Sequence, residues 1–129
     1  MKINHIGYAV RDIYKSMKEF EVLGYSLEGK VIKDIKRNVY IQFLILNGYR
    51  LELVAPSTEQ APINGILKKS GEGPYHICYE TSSIDNAISE LVKEKYVLIE
   101  NKSGAVAFDN KNIAFLFKKG IGLIELLEM

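Results

Sequence analysis

His5-Ile6-Gly7-Tyr8-Ala9-Val10 returns later in the chain as His76-Ile77-Cys78-Tyr79-Glu80-Thr81. An offset of 71 residues lays His5 on His76, Ile6 on Ile77, Tyr8 on Tyr79, Ile13 on Ile84, Glu19 on Glu90 and Tyr25 on Tyr96, so the chain's 2 histidines coincide. A second echo closes each half, where Leu51-Glu52-Leu53-Val54 answers Ile124-Glu125-Leu126-Leu127 at an offset of 73. His5 and Glu52 are 47 residues apart, His76 and Glu125 49. Self-similarity on this scale marks a duplicated supersecondary unit. Each copy opens on an imidazole and ends on a carboxylate, which makes four potential metal ligands.

Around the first copy, alternation would place Ile6, Tyr8 and Val10 on one strand face and His5, Gly7 and Ala9 on the other. The small neighbours leave room beside the imidazole, for a ligand or for close packing. Asp12 is placed to cap a helix whose apolar residues Ile13, Met17 and Phe20 recur at spacings of four and three. That spacing makes one buried stripe, with Lys15, Lys18, Glu19 and Glu21 on the solvated face and Leu23-Gly24 as the stop. Strand patterns come next at 25–32, 38–46 and 49–54, with Ile35, Lys36 and Arg37 near a bend. Asn47-Gly48 is a strong two-residue hairpin signal, because both central positions of a type I′ turn need positive φ. The first half reads β-α-β-β-β.

Residues 55–74 hold all 3 prolines and several small polar residues, and read as a linker. Within it, Ile63, Ile66 and Leu67 would give a short helix one apolar edge. From Tyr75 the unit repeats: Ile84, Ile88, Leu91 and Val92 form the helix stripe after a Ser82 or Ser83 cap. Strands are expected at 96–100, 104–108, 112–118 and 121–127, with Lys119-Gly120 where Asn47-Gly48 stood. The expected organisation is one domain over residues 1–129: a first module at about 1–55, a linker at about 56–73 and a second module at about 74–129.

At 129 residues the chain can bury a core without staples. Its 17 basic and 16 acidic residues nearly balance, so no positive field for nucleic acid is built. No apolar run approaches the roughly 20 residues that span a bilayer, and the N-terminus shows no signal-peptide pattern. Neither nucleic acid nor membrane is an expected partner, and the expected location is the cytoplasm. The 1 cysteine, Cys78, excludes an internal disulfide and reads as a buried strand thiol.

If each histidine lies on the strand that opens its unit and each glutamate on the strand that closes it, a pseudo-twofold can converge two imidazoles and two carboxylates. A mixed nitrogen and oxygen set suits Zn, Ni, Co or Fe better than Ca. A lone strand histidine, or a glutamate between aliphatic neighbours, would carry no such weight. Their joint recurrence at equivalent places of a repeat does.

The stretches His5-Ile6-Gly7-Tyr8-Ala9-Val10, Leu51-Glu52-Leu53-Val54-Ala55-Pro56, Pro74-Tyr75-His76-Ile77 and Gly122-Leu123-Ile124-Glu125-Leu126 resemble the vicinal oxygen chelate superfamily. That superfamily contains glyoxalase I, methylmalonyl-CoA epimerase, extradiol dioxygenases and antibiotic-resistance proteins. The likeness implies an α+β fold of two tandem βαβββ modules, each an incomplete barrel, around one divalent metal. Its implied ligands are His5, Glu52, His76 and Glu125, and its implied ions are Ni2+ or Co2+, then Zn2+. It further implies that two substrate oxygens chelate the metal, which stabilises an enediolate or enolate as a carboxylate removes a neighbouring C–H proton. Glu125 is the expected base and Glu52 the pseudo-symmetric alternative. A homodimer is expected, with the metal site inside one chain or shared across the interface.

Two branches compete for the reaction. Glutathione-using glyoxalases carry an arginine four residues after the first histidine, where this chain has Ala9, with Arg11 two further on. The epimerase branch is matched by Ala55-Pro56, Ala61-Pro62-Ile63 and Gly71-Glu72-Gly73. Yet Tyr75 replaces the first of its paired histidines, and Phe115-Leu116-Phe117-Lys118-Lys119 its His-Pro-Lys segment. The expectation is a glyoxalase I-type, lactoylglutathione lyase-like enzyme acting on the thiol adduct of a 2-oxoaldehyde. Methylmalonyl-CoA epimerase, acting on an acyl-CoA, is the alternative, then a metal-free small-molecule binder. A ring-cleaving dioxygenase would use two histidines and one carboxylate, and the second glutamate disfavours it. Tyr40, Gln42, Phe43 and Phe115 are the candidates for shaping specificity.

Overall fold

The repeat unit can be traced strand by strand in a computed structural model that describes residues 1–129. The first half runs β1 (Lys2–Ala9), α1 (Ile13–Val22), β2 (Ser26–Asp34), β3 (Val39–Leu46) and β4 (Tyr49–Pro56), and then α2 (Ile63–Ser70). The second runs β5 (Gly73–Thr81), α3 (Ile84–Lys93), β6 (Val97–Ala105), a 3-10 turn at Val106–Phe108, β7 (Lys111–Lys118) and β8 (Gly122–Glu128). Two compact units result, His5–Tyr75 and His76–Met129 together with Met1–Asn4.

Each half is a βαβββ module of an α+β fold, its strands ordered β2-β3-β4-β1 in the first and β6-β7-β8-β5 in the second. The opening strand pairs in parallel with the closing one, β1 with β4 and β5 with β8. The remaining pairs are antiparallel. A parallel pair cannot be joined by a hairpin, so the intervening helix and two strands are what bring the ends of each module side by side.

The first helix starts where expected, with the Asp12 carboxylate accepting from the backbone N–H groups of Tyr14 and Lys15. Ile13 is buried, and Met17 and Phe20 pack with Tyr8, Tyr25 and Tyr40 against Val10, Leu44, Leu51, Leu53 and Ala55. In the second module Ser83 is the cap, accepting from Asn86 N–H at 3.3 Å. Ile84, Ala87, Ile88 and Leu91 pack with Tyr79, Tyr96 and Leu98 on Ala114, Leu116, Ile124 and Leu126. Val92, expected in that stripe, is 47% exposed. At 100° per residue it falls on the flank of the face that Ala87 extends on the other side.

Two further expectations are corrected. The strands expected at 96–100 and 104–108 are one strand, β6, whose register shifts between Leu98 and Glu100 and again before Ser103. Residues 106–108 form the 3-10 turn instead. Bulges absorb the break in alternation that made the segment look like two strands. Asn47 and Gly48 do take positive φ, +52° and +83°, whereas Lys119-Gly120 does not reproduce that turn. There Ile121 N–H returns to Lys118 O and the positive φ values fall on Gly120 and Gly122, the residues without a Cβ. The short helix expected within residues 55–74 is α2, with Ile63 and Leu67 buried on its apolar edge.

A candidate metal centre

Register places the first pair of candidate ligands. In the parallel β1–β4 ladder Gly7 stands beside Glu52 and Ile6 beside Leu51. Strand alternation then sorts the side chains. Tyr8, Leu51 and Leu53 join the α1-side core, while His5, Gly7, Ala9, Glu52 and Val54 are buried on the other face. His5 Nε2 lies 3.4 Å from Glu52 Oε1, with only 1% and 5% of the two residues exposed. Phe43, opposite Glu52 across β3–β4, sets its ring edge-on to His5 with centroids 5.9 Å apart at 69°.

The second unit repeats the arrangement. Cys78 stands beside Glu125 in the β5–β8 ladder, and Phe115 opposes Glu125 across β7–β8. His76 Nε2 is 3.0 Å from Glu125 Oε1, and the two residues are 4% and 2% exposed. Phe115 meets His76 at 5.4 Å and 87°. Cys78 is a buried thiol, as expected, packed with Ala105, Ile113 and Leu127 against Phe108 and Phe115.

Burying two carboxylates costs several kcal/mol per ion unless charge and hydrogen bonding offset it. A divalent cation does both. Two donors bound side by side to one ion at about 2.1 Å lie about 3 Å apart, and both His–Glu pairs have that spacing. The four residues therefore form a candidate metal-binding set, all buried, with the mixed chemistry that borderline divalent ions prefer.

Of the four residues read as shaping specificity, two lie at the site and two do not. Phe43 and Phe115 stand against the ligand pairs. Tyr40 packs into the α1-side core. Gln42, opposite Leu53 on that same side, donates through Nε2 to the carbonyls of Glu28, Gly29 and Phe43. It braces the bulge between Glu28 and Ile32. Sequence reasoning missed Arg50 and Glu28, which share the ligand face. Arg50 Nε is 2.6 Å from Glu28 Oε1 and Nη2 3.1 Å from Oε2, and the guanidinium sits 5.8 Å over the Phe43 ring. Counting back two from Glu52 would have found Arg50. Glu28 was hidden by the bulge.

Tyr75 and Lys118, two of the departures that tilted the expectation away from the epimerase branch, lie off the face that carries His76 and Glu125. Tyr75 alternates with His76, so it points to the other side of β5. Lys118 turns toward the end of α3, donating to Glu94 O and sitting 5.3 Å over the Tyr96 ring. Ala9 is fully buried beside Val54. Arg11 is a surface residue paired with Glu72 at 3.7 Å and donating to Leu67 O, so it ties the turn after β1 to the end of α2.

No helix is long and apolar enough to cross a membrane. A family model for the glyoxalase/bleomycin resistance protein/dioxygenase superfamily matches residues 4–115. The mitochondrial methylmalonyl-CoA epimerase of Bos taurus is 31% identical over 97% of this chain and 73% of its own. Among solved structures, methylmalonyl-CoA epimerase from Mycobacterium tuberculosis superposes with a TM-score of 0.84 at 26% identity, covering 98% of this chain and 87% of that one. The hypothetical protein BH1468 from Bacillus halodurans does so with 0.86 at 29%, covering 99% and 94%. These relatives overturn the expected glyoxalase I-type lyase and its thiol-adduct substrate. The activity they name is an epimerase, an isomerase, which was the alternative. With the family model covering most of its length, the chain belongs to the glyoxalase/bleomycin resistance protein/dioxygenase superfamily, the vicinal oxygen chelate proteins, and its relatives of named activity are enzymes that epimerise methylmalonyl-CoA.

Proposed function

We propose that this protein is a metal-dependent epimerase of methylmalonyl-CoA or a close acyl-CoA relative. The observation that carries the reading is the 31% identity to an epimerase over 97% of the chain. The buried, duplicated His–Glu pairs support it chemically.

The C–H to be inverted in such a substrate lies between a thioester carbonyl and a carboxylate, so its removal spreads negative charge onto two oxygens. A divalent ion, Ni2+ or Co2+ before Zn2+, supplies Lewis-acid stabilisation of that charge when bound. His5 and His76 give neutral donors, and Glu52 and Glu125 give anionic ones. Inversion also needs a proton delivered to the face opposite the one it left. Glu125 as carboxylate removes the proton from one epimer, and Glu52, first protonated from solvent, returns one on the other face; solvent exchange then resets both carboxyls. Their equivalent positions in two related units allow these roles. Phe43 and Phe115 shield the carboxylates from water, which strengthens both interactions. The reading includes one domain over residues 1–129, a homodimer and a cytoplasmic location, for which the family likeness and the lone buried thiol Cys78 are the support.

The test is to incubate one epimer of methylmalonyl-CoA with the Co2+-loaded protein in D2O. Formation of both epimers, each with one deuteron at the inverted carbon, is expected. Neither exchange nor epimer formation under any metal loading would sink the reading.

A further inference from the structure

An imidazole that ligates a metal must present one ring nitrogen along a fixed direction, and proteins hold it there through groups that touch the rest of the ring. In this chain an aromatic edge does so twice. Phe43 and Phe115 each stand on the strand antiparallel to the glutamate strand, directly opposite Glu52 and Glu125. Each reaches past the carboxylate to the histidine one strand further on, at 5.9 Å and 5.4 Å, with near-perpendicular rings at 69° and 87°. Perpendicular ring pairs are the arrangement that the aromatic quadrupole favours. Turning the imidazole about its own axis would lose that contact and carry Nε2 away from the carboxylate.

The surroundings of the two phenylalanines differ, which argues against simple core filling. Phe43 is held from above by the Arg50 guanidinium, itself fixed by Glu28. Phe115 instead rests on Cys78, Ala105, Ile113, Leu127 and Phe108. What the two sites share is the geometry toward His and Glu. We infer that Phe43 and Phe115 are positioning residues, which fix each histidine ring with Nε2 toward its glutamate and so set the affinity and ligand field of the metal. This rests on the metal-dependent reading above.

The full-length protein with Phe43→Leu or Phe115→Leu tests it, read by Co2+ titration, the visible Co2+ absorption band and the melting of the metal-free form. Each leucine variant is expected to weaken Co2+ binding on the order of tenfold and to shift the band. Phe115→Tyr keeps the ring at a half-buried position and should preserve both. A purely packing role would lower the melting temperature and leave affinity and band as in wild type, and that result overturns the inference. Should a leucine variant fail to fold, Phe→Met, whose flexible side chain fills irregular gaps, carries the same two outcomes. A wild-type protein that binds no Co2+ overturns the metal reading and this inference with it. Wild-type binding matched by the folded variants overturns this inference alone.

Discussion

Glu52 and Glu125 are each flanked in sequence by aliphatic residues, yet neither faces solvent: 5% and 2% of their surface is exposed. A carboxylate so placed does not persist without compensation, and the imidazole nitrogens at 3.4 Å and 3.0 Å are what each unit supplies. In the two-carboxylate account, Glu125→Gln and Glu52→Gln keep an oxygen ligand but lose a base. Each should slow epimerisation by 10²–10⁴-fold, about the usual worth of a positioned acid or base. Each should still exchange the proton of one epimer with solvent, and the two variants should act on opposite epimers. NMR of each epimer in D2O reads this directly. Loss of exchange from the same epimer in both variants would leave one carboxylate as the only base.

The strands that carry the ligands depend on devices one step removed. Gln42 supplies the buried amide that satisfies three backbone carbonyls around the β2 bulge. Gln42→Leu keeps the volume and leaves those carbonyls without their donor, so a loss of about 1–3 kcal/mol is expected. Asp12→Ala removes only a helix cap and should cost about 1 kcal/mol. Urea unfolding of the metal-free protein compares them, and a Gln42→Leu loss no larger than that of Asp12→Ala would contradict the bracing role. The same element shows where sequence reasoning stops. The repeat singled out Glu52, but strand register was not readable around it, so Tyr40, Gln42, Phe43 and Phe115 stood alike as candidates although only Phe43 and Phe115 face the His–Glu pairs. A bulge adds a residue to one strand and flips the facing of every side chain beyond it, so the register of β2 against β3, and with it the pairing of Glu28 with Arg50, could not be read. In β6 the same device made one strand read as two.

At the scale of the whole chain, duplication made the fold and the four candidate ligands legible: an imidazole and a carboxylate that recur at matching offsets stand out where a single pair would not. The substrate was not legible. Tyr75 and Lys118 were weighed as substrate signals, although Tyr75 alternates away from the ligands and Lys118 turns to α3. The proposed function requires that His5, Glu52, His76 and Glu125 serve one ion per chain. Elemental analysis of the dialysed, Co2+-loaded protein, expressed as metal per chain and repeated on His5→Ala and His76→Ala, tests it most directly. The account predicts one ion per chain in wild type, lost in both variants. Two ions per chain, or a His5→Ala protein that retains a full ion on His76 and Glu125, would contradict it.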